Sequence, residues 1–270
     1  MQIRRRSLTL PFVLAFLGAS LAVGPARAKK PETGFLDRTV TLRGTVYKYQ
    51  VFVPDNWTSK KKWPVILFLH GAGERGDDGL VQTEVGIGKA IRVDRTRFPA
   101  VIVIPQCRKE IWWAQSPMDD LAMKTLDAVT LEFHGDPQRT YLTGLSMGGY
   151  GTWHLAGKYP GRFAAIVPIC GGILMPQISR EQPPDDTQPY TDAANKIGNK
   201  TPVWIFHGGA DDTVPVRESQ RMAAAMKALG GEVRYTEYPG VGHNSWDNAY
   251  AEPDLMTWML SKTTSAKANK

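Results

Sequence analysis

From Arg38 onward, short apolar runs alternate with longer mixed segments, and the spacing of their apolar positions sets the element each can form. Arg38 to Val53 alternates apolar and polar residues in two runs broken at Arg43-Gly44, which predicts an antiparallel hairpin ending at Pro54. Asp55 to Trp63 is a polar connection. Val65-Ile66-Leu67-Phe68-Leu69 is unbroken apolar sequence, as expected of a strand covered on both faces in a mostly parallel sheet. Ala100 to Pro105, Phe163 to Cys170 and Pro202 to Phe206 repeat that signature, and Val233 to Tyr238 reads as a last strand.

Helical sequence falls between these strands. Ser116-Pro117-Met118-Asp119-Asp120 has the order of a helix start, with serine at the cap, proline at the first position and acids in the first turn. That helix is expected to reach Glu132 or His134. A second leaves Ser146 and stops near Tyr159-Pro160-Gly161, a third covers Arg217 to Leu229 ahead of Gly230-Gly231, and a fourth runs from Trp246 to Leu260. Gln177 to Asn199 is proline-rich and polar, so it reads as a loop with at most short helices, a partial cover over what lies beneath. This alternation predicts an α/β domain.

The residues before Lys29 follow another pattern. Arg4-Arg5-Arg6, an apolar stretch from Leu10 to Val23, and Ala26-Arg27-Ala28 predict a signal peptide, too short for a good membrane span. The expected division is 1–28 signal peptide, 29–36 leader, 37–262 α/β domain and 263–270 flexible tail. A secreted or periplasmic product without stable membrane insertion follows. The 270 residues carry a formal charge of +7; losing four arginines and no acids with the signal peptide leaves +3, too little to imply nucleic acid. No C-x-x-C, H-E-x-x-H or His-rich cluster occurs, so no metal and no cofactor is expected.

Candidate chemistry gathers at the strand ends. Gly144-Leu145-Ser146-Met147-Gly148 is a G-x-S-x-G sequence between β-prone and helix-capable segments, the pattern of a sharp turn that holds a serine at its tip. Val65 to Leu69 opens into His70-Gly71-Ala72-Gly73, Pro202 to Phe206 into His207-Gly208-Gly209-Ala210-Asp211, and the last strand into Gly242-His243. A serine hydroxyl is a weak nucleophile at neutral pH, so a histidine must take its proton and an acid must fix the histidine tautomer. Ends of parallel strands meet at one edge of a sheet, where ligands bind.

These blocks, with Pro105-Gln106-Cys107, Gly149-Tyr150-Gly151 and Asn244-Ser245-Trp246, resemble secreted bacterial esterases of the α/β-hydrolase superfamily. More narrowly they resemble the carboxylesterase/phospholipase-like group often labelled predicted peptidases, with feruloyl and acetylxylan esterases as cousins. The resemblance implies an α/β-hydrolase fold: a mostly parallel central sheet flanked by helices, an N-terminal antiparallel hairpin and no large lid domain. It implies Ser146 as nucleophile, His243 as general base and then acid, and Asp211 orienting His243. Asp211 is preferred to Asp212 because the acid of H-G-x-x-D stands four residues after the histidine. Oxyanion donors are then the backbone N–H groups of Met147 and of Ala72, or Gly73 if the loop turns differently.

The implied activity is cleavage of small or medium acyl esters through an acyl-enzyme, with plant-wall acetyl or feruloyl esters as candidate substrates. A small-molecule or carbohydrate-linked ester is the expected partner. A serine peptidase and a non-catalytic binding protein on the same fold are the alternatives. Trp112, Trp113 and Trp246 either wall a substrate pocket or pack in the core, and Glu74 with Arg75 forms either a pocket edge or a salt-bridged loop. His70 and His207 read as structural hydrogen bonding under the site, His134 and His154 as packing or surface residues, and Asp185, Asp186 and Asp192 as solvated. In the fold resembled, Cys107 and Cys170 are three strand spacings of about 4.8 Å apart, so both thiols are expected free.

Overall fold

The computed structural model describes residues 32–181 and 186–264. The expected signal peptide, Asp185 and the tail beyond residue 264 lie outside the described residues. Eight strands form one sheet: β1 Gly34–Leu42, β2 Thr45–Val53, β3 Trp63–Leu69, β4 Val101–Pro105, β5 Gly135–Leu145, β6 Ala165–Ile169, β7 Val203–Gly208 and β8 Val233–Tyr238. Their order is β1-β2-β4-β3-β5-β6-β7-β8. β1 pairs antiparallel with β2 and β2 with β4, whereas every pairing from β4 to β8 is parallel. The carboxyl ends of β3, β5, β7 and β8 therefore open at one edge.

Strand periodicity divides the core in two. Val65, Leu67 and Leu69 face one layer, and Ile66 and Phe68 the other. The first layer is closed by α2 Met118–Glu132, α3 Met147–Lys158, α5 Gln188–Ile197 and α6 Arg217–Ala228. Beneath the opposite face lie α1 Gly86–Val93, α7 Trp246–Ala251 and α8 Leu255–Leu260. All five of these β3 side chains are fully buried, each contributing about 2 kcal/mol of apolar transfer. The α/β-hydrolase architecture expected from the resemblance is the one observed.

Several elements differ from expectation. β1 starts at Gly34, so part of the expected leader is already a paired strand. α2 starts at Met118 with Pro117 at its cap and makes no serine cap bond, although Asp119 and Asp120 do occupy the first turn. The segment read as loop contains α4 Pro176–Glu181 and the ten-residue α5, whose Tyr190, Ala194 and Ile197 are buried three and four residues apart. The single closing helix is two, α7 and α8, separated at Glu252-Pro253, where proline removes a backbone donor. Among the described residues no helix is long and apolar enough to cross a membrane.

Candidate active site

The turn between β5 and α3 holds Ser146 at φ 53° and ψ −119°, a left-handed conformation unusual for a side-chain-bearing residue. Its N–H donates to the Ile169 carbonyl at 2.9 Å, and its own carbonyl accepts from Gly149 at 2.8 Å. The flanking glycines are required by contact. A Cβ on Gly148 would run into the Leu69 carbonyl, and one on Gly144 into the Gly148 carbonyl. Strand, turn and the end of β3 are thereby packed backbone to backbone.

From β8, His243 reaches across to this serine. Its Nε2 lies 2.8 Å from Ser146 Oγ and its Nδ1 2.7 Å from Asp211 Oδ2. The hydroxyl donates to Nε2 when Nδ1–H donates to the carboxylate, so one tautomer satisfies both bonds. Asp211 Oδ1 accepts the backbone N–H groups of Thr213 and Val214, each at 2.9 Å. The Asp211 side chain is fully buried, and burial alone would raise its pKa. Hydrogen bonds from His207, His243 and Val214 outweigh that and hold it well below the usual carboxylate range. Asp212 takes no part: it contacts the Thr213 hydroxyl at 3.2 Å in solvent.

A second histidine holds the same acid. His207, fully buried in β7, has Nε2 3.2 Å from Asp211 Oδ2 and 3.0 Å from the Val214 carbonyl. Its Nδ1 accepts from the Ser219 hydroxyl at 2.6 Å. Nε2–H is therefore directed at the acid and the loop that carries it. The sequence marks His207 only as a strand-end histidine four residues before Asp211, and that spacing is the signal for the contact.

The loop after β3 is a 3-10 turn over Ala72–Glu74 pressed against the elbow; a Cβ on Gly71 would stand 3.7 Å from Ser146 Cβ. Its carbonyls are tied down one by one. Trp113 Nε1 donates to the His70 carbonyl at 2.9 Å, His70 Nδ1 to the Gly71 carbonyl at 2.6 Å, and Arg75 Nε to the Ala72 carbonyl at 3.0 Å. Because a peptide unit is planar, fixing the Gly71 carbonyl fixes the Ala72 N–H on the opposite side, away from the His70 ring. His70 Nε2 accepts the Cys107 N–H at 2.9 Å, and burial lowers the pKa of this ring to about 4. His70 is thus a neutral brace. Arg75 makes no ion pair with Glu74, whose carboxyl burial pushes above its ordinary pKa.

Residues 41–251 match the model of the Esterase family. The chain belongs to that family. An uncharacterized secreted protein of Arthroderma benhamiae is 25% identical over 246 residues, which cover 80% of this chain and 25% of that one. The crystal structure of a thermostable esterase is 30% identical at a TM-score of 0.72, covering 85% of this chain and 63% of that chain. A ferulic acid esterase shares the fold at 18% identity, with a TM-score of 0.66 over 84% of this chain and 97% of that one. The chain thus spans about a quarter of the first of these relatives.

Around Ser146 and His243 the three candidate tryptophans part company. Trp113 is fully buried beside His70 and Gly151, so it offers no surface to a ligand and the pocket-wall reading is corrected to core. Trp112 is half-buried with its ring perpendicular to Tyr150 at 5.8 Å, and half-buried Trp246 stands perpendicular to His243 at 5.5 Å. Cys107 and Cys170 are both free and buried. Ligand atoms of Cys170, Asp211 and His243 lie within 4.8 Å of one another, the one such metal-type group among the described residues. Burial pushes the Cys170 thiol's pKa up, against the thiolate a metal needs, and the other two groups already bond each other.

Proposed function

We propose that this Esterase-family chain is a serine hydrolase of carboxylic esters. The observation that carries the reading is the pair of hydrogen bonds through His243, at 2.8 Å to Ser146 and 2.7 Å to Asp211. Ser146 Oγ attacks the acyl carbon as its proton passes to His243 Nε2, and Asp211 stabilises the imidazolium. The N–H groups of Met147 and Ala72 receive the oxyanion; Ala72 is chosen over Gly73 because its N–H faces away from the His70 ring. His243 then gives the proton to the departing alcohol. Water, deprotonated by the same nitrogen, splits the acyl-enzyme and releases the acid.

Trp112 beside Tyr150 and Trp246 beside His243 are the aromatic candidates for holding small or medium acyl groups, with acetyl or feruloyl esters of wall carbohydrate as substrates. The N-terminal pattern adds export to this reading. Hydrolysis of p-nitrophenyl acetate, butyrate and octanoate by the chain and by Ser146→Ala is the test. Loss of at least about 10⁴-fold in kcat/KM on the substitution is expected. Equal activity in both chains overturns the reading, and turnover of peptide amides but not esters replaces it with a peptidase.

A further inference from the structure

The block Pro105-Gln106-Cys107 at the end of β4 takes no part in the reaction steps, yet its polar atoms converge on the loop after β3. Cys107 donates its N–H to His70 Nε2 and accepts the Gly76 N–H on its carbonyl, each at 2.9 Å. Gln106, only 2% exposed, reaches the same loop with its side chain. Its Oε1 accepts the Gly79 N–H at 2.7 Å, and its Nε2 donates to the Glu74 carbonyl at 3.1 Å and to Asp78 Oδ2 at 3.2 Å. The first partner can only donate and the other two only accept, so a single orientation of the amide satisfies all three.

The loop needs such support. None of the three residues in the turn Ala72–Glu74 is fully buried, and a Cβ on Gly73 would meet nothing within 4 Å. A turn with so little burial keeps its shape through hydrogen bonds to its backbone. The carbonyls of His70, Gly71 and Ala72 are bonded by Trp113, His70 and Arg75, and the Glu74 carbonyl at the turn's far end falls to Gln106. Beyond it the Gly79 peptide is gripped on both sides, its N–H by Gln106 and its carbonyl by Gln50 Nε2 of β2 at 2.9 Å. The turn is thereby referenced to two strands of the sheet. That matters for chemistry, because oxyanion donors stabilise a transition state only when they are aimed before it forms.

We infer that Gln106 is a positioning residue for ester hydrolysis: by holding the Glu74 carbonyl and the Gly79 N–H, it keeps the Ala72 N–H aimed at the oxyanion. The inference rests on the serine-hydrolase reading, and its test separates the two. Gln106→Met keeps the side chain's length and removes all three bonds. Gly76→Ala keeps every hydrogen-bonding group, but its Cβ would stand 2.8 Å from Gln106 Nε2 and push the amide aside. Turnover of p-nitrophenyl acetate and the rate of labelling by a fluorophosphonate, whose phosphoryl oxygen takes the oxyanion's place, are measured on both variants and on the wild-type chain. With KM unchanged, kcat should fall about 20-fold in Gln106→Met and about fivefold in Gly76→Ala, a part of the roughly 10²–10³ that one whole oxyanion donor carries. Labelling should slow alongside. A merely structural role lowers the urea midpoint but leaves kcat of the folded variant within about twofold of wild type. That result, read from Gly76→Ala alone should Gln106→Met not fold, overturns the inference. A rise in KM at constant kcat overturns it in favour of a substrate contact. A wild-type chain that neither cleaves the ester nor takes the label removes the serine-hydrolase reading and this role together, whereas an active wild type with equally active variants removes this role alone.

Discussion

Asp211 and Asp212 are chemically identical neighbours, yet only one carboxylate is within reach of His243. Asp211→Asn should lower kcat by about 10⁴-fold, because an amide in its place favours the wrong histidine tautomer, whereas Asp212→Asn should stay within about twofold. Steady-state kinetics on p-nitrophenyl acetate separates them. His207 makes a subtler claim. It bonds the carboxylate in its ionised form, so His207→Gln should raise the Asp211 pKa toward its ordinary value. Even at that value the carboxylate stays ionised near neutral pH, so the effect is on its grip on His243: kcat should fall with KM unchanged, and an unchanged kcat would leave His207 a packing residue. That Ser146, Asp211 and His243 would meet was legible, since each sits at a fixed offset from a strand end and strand order does the rest. Trp113 was not, because Trp112-Trp113 gives two identical side chains and only the packed Gly151 and His70 decide which turns inward.

At the scale of elements, local chemistry concealed two helices. α1 contains Gly86 and Gly88, poor helix formers, yet a Cβ on Gly88 would strike the Thr83 carbonyl, so close approach requires the very residue that hides the helix. α5 begins among prolines and polar residues, and its buried face has only three residues. What holds it is a tertiary contact. Glu218 of α6, fully buried, accepts the Ile173 and Leu174 N–H groups at 2.8 and 3.1 Å and the Tyr190 hydroxyl at 2.5 Å. Tyr190→Phe should therefore cost about 2 kcal/mol, the range for leaving a buried polar group without its partner, read from urea denaturation. A loss below about 0.5 kcal/mol would mean that α5 is held by its apolar face alone. The strands were easier to read because period-two alternation and unbroken apolar runs survive any choice of partner.

For the whole molecule, the buried His70 couples fold to pH. Its folded pKa of about 4 lies below the ordinary value near 6.5, so between these limits only the unfolded chain takes up the proton. Stability should fall as pH drops below about 6.5, by about 2 kcal/mol at pH 5 and about 3 kcal/mol once pH passes below 4. Comparing urea midpoints at pH 7.5 and 5 tests this: in His70→Asn the drop should shrink by about 2 kcal/mol, even from a lower starting stability. The strand order has a consequence in time. β8 is the last strand added to the sheet, and the loop behind it carries His243, while the serine it serves lies 97 positions earlier. A ribosome making this chain completes β3, β5 and the elbow long before the base exists. On the serine-hydrolase reading, the nucleophile is therefore without its base until the last strand has joined the edge of the sheet.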